Sequence, residues 1–421
     1  EQSKARTVRI ADRAARIYAP AVHLAALATF LGWLFVTGGD WHAAALAAIA
    51  VLIITCPCAL GLAVPAVQVV ASGLLFGRGI LLKDGGALER LAEVDSAVFD
   101  KTGTLTLGRP QMLGEDMIDP DSLAIAAGLA SSSNHPLSRA IVRAARRSHI
   151  TPAAVSDISE TPGSGLAGTM DGKPVRLGSR AWCGGDPSGD PAVEKAFGLE
   201  LWLSDGSGKT GHFRFSDEPR PKAAVTLQAL ADRRLSLGIL SGDRAAAVRQ
   251  MAAGLGIDNW RACLSPQNKL DHIESMAAEG HKVLVVGDGL NDGPALAAGH
   301  VSMAPSSASD LGQTAADLVF LGDALKPVAD AHDIARKAGR LVRQNFAFAA
   351  LYNVIAVPLA AAGLVTPLIA AIAMSSSSLI VIANALRLRM MAGTETRTVA
   401  AAPNADQQSG PVPADRQGAP A

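Results

Sequence analysis

Three stretches of the chain carry no Asp, Glu, Lys or Arg: residues 17–39, 41–77 and 344–386. A bilayer-spanning helix needs about 20 mostly apolar residues. The first stretch fits one span, and the last, 43 residues long, fits two with Gly363 to Pro367 as the turn. The middle stretch of 37 residues fits one long span or two short ones. Flanking charge decides between them. Arg6, Arg9, Arg13 and Arg16 precede the first stretch, and Arg78, Lys83 and Arg90 follow the second. Lys337, Arg340 and Arg343 precede the third, with Arg387 and Arg389 after it, while the turns at 38–40 and 363–367 hold no Lys or Arg. Basic flanks mark the cytoplasmic side, so an even number of spans separates each pair. The pattern predicts a lead-in at 1–16, helices at 17–39 and 41–77, a cytoplasmic insert at 78–343, and helices at 344–364 and 366–386. Core helices of a soluble protein are the alternative, and runs of this length disfavour it.

Within the insert, the short apolar runs Val94–Phe99, Leu235–Leu240 and Lys282–Val286 each end at a polar, Gly-rich turn. That is the mark of a parallel sheet with helical crossovers, where ligands gather at the carboxyl ends of the strands. The stretch 111–217 differs in texture, with Gly and Pro clusters at 161–168 and 184–191. It reads as a second, α+β domain inserted into the first, which keeps 78–110 and 218–343. Residues 391–421 turn to Ala, Pro, Gly, Gln and Thr without periodicity, a composition expected to stay disordered.

Composition narrows the classes. The 421 residues carry 38 basic and 38 acidic side chains, and this balance argues against a nucleic-acid partner. Four cysteines exclude a disulfide scaffold. The apolar surface is concentrated in the charge-free runs, so the lipid bilayer is the expected environment.

The chemistry sits at strand ends. Asp100-Lys101-Thr102-Gly103-Thr104 follows the first strand, and a carboxylate there can act as a nucleophile that forms an acyl phosphate. Ser241-Gly242-Asp243 follows the second, offering a hydroxyl and backbone N–H groups to phosphate oxygens. The third strand leads into Gly287-Asp288-Gly289-Leu290-Asn291-Asp292, whose two carboxylates suit Mg²⁺, a hard ion that takes oxygen ligands. Lys269, in Pro266-Gln267-Asn268-Lys269, adds positive charge for a phosphoryl group. Any one of these alone is more often a cap or turn; their combination in this order is specific.

With these motifs the sequence resembles the P-type ATPases of the haloacid-dehalogenase superfamily, from about residue 1 to 390. The resemblance implies a multidomain membrane protein: a four-span helical bundle, an α/β phosphorylation domain and an inserted nucleotide-binding domain. It implies that ATP phosphorylates Asp100, with Mg²⁺ held by Asp100, the Thr102 carbonyl and Asp288, and with Gly287, Gly289 and Asn291 in a hinge. Thr102 stands where many superfamily phosphatases have a second Asp, so the phosphoenzyme is expected to hydrolyse slowly unaided. His135-Pro136 matches the heavy-metal members' adenine-binding pair, although alone it is an ordinary helix start. Gly163 and Gly165 match their nucleotide loop, and Ala130 stands where copper members often carry a Glu.

Cys56-Pro57-Cys58 lies near the middle of the second run. On a regular helix, residues i and i+2 point roughly 200° apart and cannot share a metal. Proline removes a backbone hydrogen bond and lets the helix unwind, so both thiolates can face one cavity. Soft sulfur selects Cu(I) or Zn²⁺ over Mg²⁺ or Ca²⁺. In the family this tripeptide marks heavy-metal transporters. Tyr352-Asn353 and Met374 with Ser377 and Ser378 resemble the copper pattern, whereas a zinc or cadmium member would bring an acidic residue and a lysine that 344–386 lacks. Cys183 and Cys263 read as structural or idle thiols.

The reading is therefore an ATP-driven Cu(I) exporter, multi-pass in a bacterial inner membrane, with cytosolic copper-chaperone delivery implied by the family. Tyr18-Ala19-Pro20, His23 and Ser375–Ser378 resemble a FixI-like, oxidase-assembly branch. The alternatives are a Zn²⁺/Cd²⁺ P-type ATPase, a haloacid-dehalogenase-type phosphohydrolase with membrane anchors, and a non-enzymatic copper-binding protein. No Thr-Gly-Glu of the family's actuator domain occurs, so the chain is expected to be the C-terminal half of such a protein.

Overall fold

The computed structural model describes residues 6–56, 58–114, 117–161, 163–184, 199–289 and 292–399. Its elements divide between a bundle of apolar helices and two cytoplasmic sheets.

The chain opens with α1 (Arg6–Val36), α2 (Trp41–Ile54) and α3 (Cys58–Gly77). Helix α1 begins inside the expected lead-in, because Arg6, Arg9, Arg13 and Arg16 recur every three or four residues and continue the helical period. The 41–77 span is two helices. Helix α2 ends at Ile54 and α3 starts at Cys58, a break expected from the proline in the intervening sequence, and Asp40 starts α2 by accepting from the His42 and Ala43 N–H groups. Helix α2 packs along α1, and the second helix of the run resumes at Cys58.

Next come β1 (Ile80–Leu82), α4 (Ala87–Ala92) and β2 (Ser96–Asp100), the last running one residue beyond the expected strand so that Asp100 terminates it. A single wide turn (Lys101–Leu105) follows. The inserted unit comprises β3 (Gln111–Leu113), α5 (Pro120–Ala130), α6 (Pro136–Arg147), β4 (Ser156–Thr161), β5 (Gly165–Met170), β6 (Lys173–Gly178), β7 (Leu199–Ser204) and β8 (Thr210–Ser216). These strands form an antiparallel sheet in the order β3-β8-β7-β6-β5-β4. Leu123, Leu129 and Ile141 of the two helices bury against Val175, Phe213 and Phe215 of the sheet.

The first sheet then resumes with α7 (Ala223–Ala231), β9 (Ser236–Leu240), α8 (Ala245–Leu255), β10 (Asn259–Arg261), α9 (Pro266–Ala278), β11 (Val283–Val286), α10 (Gly293–Ala298), β12 (Val301–Pro305), α11 (Asp310–Ala315) and β13 (Leu318–Phe320). Its order is β1-β13-β12-β11-β2-β9-β10, parallel except for β1. The central strands β2 and β11 are covered on both faces, which is why they read as unbroken apolar runs.

Two long helices close the chain: α12 (Lys326–Ala361) and α13 (Pro367–Val399). Helix α12 starts well before the apolar run, because Val328, Ile334, Ala335, Ala338 and Leu341 bury an amphipathic face against the cytoplasmic core. Helix α13 corrects the expected disorder from 391: the helix reaches Val399. Arg78 and Lys337 donate to the Ala392 and Met391 carbonyls at 2.7 and 3.2 Å and hold its end. Residues 400–421 lie outside the described residues. Leu60–Gly77, Lys326–Ala361 and Pro367–Ala392 are long and apolar enough to cross a membrane, and Pro20–Val36 and Trp41–Ile54 are shorter apolar helices.

Candidate functional site

Strand pairing assembles the first site. β2 is flanked by β11 and β9, with Phe99 opposite Val286 and Asp100 opposite Leu240. The three motifs therefore emerge side by side at one edge. Lys269, carried on α9, donates to Asp100 Oδ1 and to Asp292 Oδ1, both at 2.6 Å. The carboxylates of Asp100, Asp288 and Asp292 lie within 4.8 Å of one another. Burial, and next the Asp292 carboxylate, push Asp100 up to about 7 against the pull of Lys269. Burial alone would lower the Lys269 ammonium, but Asp100 and Asp292 outweigh it and hold it charged. Three hard oxygen donors within reach of one another fit Mg²⁺; Lys269 engages one oxygen each of Asp100 and Asp292, and each of these carboxylates keeps a second oxygen for the ion.

Lys101 pairs with Asp243, which also accepts from Thr102 Oγ1 at 3.3 Å, so the second motif anchors the first. Ser241 is buried, and its hydroxyl accepts from the Asp243 N–H at 3.1 Å. Gly242 follows in a tight corner, where an added Cβ would lie 3.3 Å from the Leu264 carbonyl. Gly103 turns the loop at φ +72°, and a Cβ there would sit 2.7 Å from Asp288 Oδ2. Gly287 packs on Asp292, whereas Gly289, at φ +77°, lies so near Gly312 that a Cβ would come within 1.9 Å of its Cα. Asn291, with Leu290, lies outside the described residues.

The sequence reading missed the residue that shapes this loop. Arg220 is 2 % exposed and donates to the Gly103 and Thr104 carbonyls at 2.7 and 2.8 Å and to Ser307 Oγ at 3.0 Å. Thr106 also pairs with Asp217 while accepting from the Gly103 N–H at 3.1 Å. The signal was Asp217-Glu218-Pro219-Arg220, an acidic, proline-bearing run where the chain re-enters the first domain.

In the inserted unit, His135 is exposed and caps α6, its Nδ1 accepting from the Leu137 N–H at 3.3 Å, with Pro136 as the first helical residue. The helix-start role is thus realised, and the other ring edge faces outward. Ala130 is buried among the domain's core residues. Gly163 turns at φ +76° with open space around it, while Gly165 opposes Gly178 so closely that a Cβ would lie 2.3 Å from the Leu177 carbonyl. No bond joins His135 to this turn among the described residues.

In the bundle, the sulfurs of Cys56 and Cys58 meet at the α2–α3 break, joined as a disulfide with Cα atoms 5.4 Å apart. Tyr352 packs in the cluster that holds Val51 and Ile54, just before the break, and Asn353 Oδ1 is enclosed with no hydrogen-bond partner. Ser377 and Ser378 turn back on their own helix, donating to the Met374 carbonyl at 2.7 and 3.4 Å. No described contact joins the Met374 side chain to either cysteine; α13 packs along both α2 and α3. Cys183 is buried, which raises its thiol, and Cys263 is exposed.

Residues 94–300 match the haloacid dehalogenase-like hydrolase family. The chain is 52% identical over 389 residues to nitrogen fixation protein FixI of Rhizobium meliloti (strain 1021), covering 92% of this chain and 50% of that protein. It is 40% identical over 399 residues to a copper-exporting P-type ATPase of Mycobacterium tuberculosis (strain ATCC 25618 / H37Rv), covering 92% and 52%. The chain therefore spans about half the length of the curated relatives it matches. A zinc-transporting PIB-type ATPase in its E2.Pi state superposes with TM-score 0.74 at 29% identity, over 90% of this chain and 63% of that one. The catalytic domain of the CPx-ATPase CopB-B superposes with TM-score 0.50 at 30% identity, over 64% of this chain and 97% of that one. With an Asp100 cluster at the end of a parallel sheet and a cysteine pair at a helix break, the chain belongs to the heavy-metal P-type ATPases.

Proposed function

We propose that this chain serves ATP-driven export of Cu(I) across a cell membrane through a phosphorylated Asp100. The observation that carries the reading is Asp100 at the end of the central strand, bonded to Lys269 and facing Asp288 and Asp292. An Asp100 oxygen attacks the terminal phosphorus of ATP; the new P–O bond forms as the bond to the bridging oxygen breaks, and ADP leaves with that electron pair. Lys269 balances charge on the transferred group, Lys101–Asp243 and Arg220 hold the loop, and the exposed His135 and the open Gly163 turn receive the nucleotide. Mg²⁺, when bound, would be held by the Asp100 and Asp288 carboxylates and would supply positive charge for the transferred phosphoryl group.

The reduced Cys56 and Cys58 form a convergent thiolate pair, with Tyr352, Asn353, Met374 and Ser378 on the helices packed around it. Residues 344–386 offer no carboxylate to balance a divalent ion, and thiolate with thioether favours Cu(I). The likeness to a copper exporter supports this assignment, and the likeness to FixI fits the FixI-like branch; a cytosolic copper chaperone as donor and a part in oxidase assembly belong to the same proposal. A Zn²⁺ transporter is the second reading, favoured by the zinc-transporting structural neighbour. Phosphate incorporation from labelled ATP separates them. Stimulation by Cu(I) and its loss in Cys56→Ser are expected; stimulation by Zn²⁺ alone would establish the second reading, and no stimulation by either metal would end both.

A further inference from the structure

Amides inside a membrane are costly unless paired, and three helices of this bundle share one buried pair. Asn345 of α12 is fully enclosed, and Asn384 of α13 is 5% exposed. Arg387 Nη1 donates to Asn384 Oδ1 at 2.8 Å, and Asn384 Nδ2 donates to Asn345 Oδ1 at 2.8 Å. Asn345 Nδ2 in turn donates to the Ala63 carbonyl of α3 at 3.4 Å. The polarity is fixed from both ends, because a guanidinium only donates and a carbonyl only accepts. Reversing either amide would cost two bonds at once.

The position of this relay along the helices gives it meaning. Tyr352 follows Asn345 by seven residues, and Ser377 precedes Asn384 by seven. Seven residues are nearly two turns, so each shares its amide's face at a distance of about 10 Å along the axis. Ala63 lies five residues after Cys58 and packs with Ala349 and Val381 of the same two faces. The relay therefore stands between about one and three turns to the cytoplasmic side of the three groups of candidate metal ligands, Met374 being the farthest at ten residues from Asn384. Around it Ala63, Ala349 and Val381 pack with Leu60 and Phe346, apolar contacts without the directionality of a hydrogen bond.

We propose that Arg387, Asn384, Asn345 and the Ala63 carbonyl form a register pin that holds α3, α12 and α13 at one level and so positions the metal ligands. These are positioning residues: amide groups are poor partners for a soft ion and remain engaged with one another. A buried polar pair that fixes alignment at some cost in stability has precedent in coiled coils. The inference rests on the reading that Cys56 and Cys58 bind the metal.

The test measures Cu(I) affinity of the reduced chain in lipid nanodiscs by competition with a chromogenic chelator, with X-ray absorption at the copper edge and thermal unfolding in parallel. The variants are Asn384→Asp, which leaves an acceptor where a donor is needed, and the double change Asn345→Leu with Asn384→Leu, which replaces the pair by apolar groups. Arg387→Lys serves as the conservative variant. Loss of supporting partners typically lowers metal affinity about 10- to 100-fold. The expected result is such a loss in the first two variants, an altered copper coordination spectrum, little change in melting, and near-normal binding in Arg387→Lys. Wild-type affinity and spectrum in the double variant would overturn the pin. Equal affinity in wild type and Cys56→Ser would instead overturn the cysteine-site reading on which it depends.

Discussion

The two polar centres of this chain are built by opposite means. Around Asp100, three carboxylates crowd together with Lys269 bonded to two of them, and burial and the Asp292 carboxylate push Asp100 up to about 7. In the bundle, residues 41–77 and 344–386 carry no formal charge, and thiols, hydroxyls and amides do the work. The difference follows from solvent. A cytoplasmic cluster can be neutralised by a hydrated cation arriving with nucleotide, so it can be left short of positive charge. A membrane site has no such reservoir, so its residues must be neutral or paired at rest.

Removing the nucleophile proposed for the charged centre gives the largest expected effect. Asp100→Asn should abolish acid-stable phosphate incorporation from labelled ATP, since an amide cannot form the acyl phosphate. It also removes one of the three crowded carboxylates, so folding should be unharmed. Detectable phosphoenzyme in the purified variant would strip Asp100 of the nucleophile's role.

Next in size is a backbone effect in the same centre. Gly289→Ala places a Cβ 1.9 Å from Gly312 Cα at φ +77°, while Gly163→Ala meets open space at φ +76°. Overpacking and left-handed strain together should cost about 3–5 kcal/mol at Gly289, and strain alone about 1 kcal/mol at Gly163. Thermal unfolding of the two variants checks the ranking. Equal melting temperatures would mean that the Gly289–Gly312 approach relaxes freely.

How much of each centre was legible follows from the same contrast. Asp100, Ser241 and Gly287 each end a buried parallel strand, so short apolar runs followed by polar glycine turns revealed them in one dimension. The helix break was legible because proline has a local backbone consequence. Arg220, which donates to the loop carbonyls more than 100 residues away, was hidden because nothing local requires it. Asn345 and Asn384 were equally hidden: each looks like one tolerated polar residue in an apolar run until the helices are packed. The ends of α1, α12 and α13 were misjudged because charge marks where lipid stops, and a helix can continue through water.

His332 tests burial without a partner at the junction of the two regions, in the part of α12 before the apolar span. It is 1% exposed and neither ring nitrogen is hydrogen-bonded. Burial foremost, then Arg233 and Arg336, bring its pKa down to about 4 despite Asp333. Between about 4 and the ordinary 6.5, the unfolded chain takes up a proton that the folded ring refuses. Stability is therefore complete above this window and falls as pH drops through it, by about 3 kcal/mol in all. His332→Leu should unfold with a flatter pH dependence between 4 and 6.5 and lose nothing at neutral pH. Identical pH slopes for the two proteins would show that the ring finds a partner or water.

The smallest effect concerns His135, where an observed structural role and a proposed nucleotide role fall on one side chain. Its Nδ1 caps α6 at 3.3 Å from the Leu137 nitrogen, and the ring's outer edge is exposed. Alanine would remove both functions, costing about 1 kcal/mol of stability through the lost cap. If the outer edge also meets adenine, ATP affinity should fall roughly 5- to 30-fold, the equivalent of about 1–2 kcal/mol. Asparagine separates the two, because its side chain is an equally good helix cap but presents no aromatic ring. His135→Asn should regain the melting temperature lost in His135→Ala and still bind ATP weakly by calorimetry on the full chain. Wild-type ATP affinity in His135→Asn would reduce His135 to a helix cap, and nucleotide recognition would then have to be sought on the open face of the Gly163 turn.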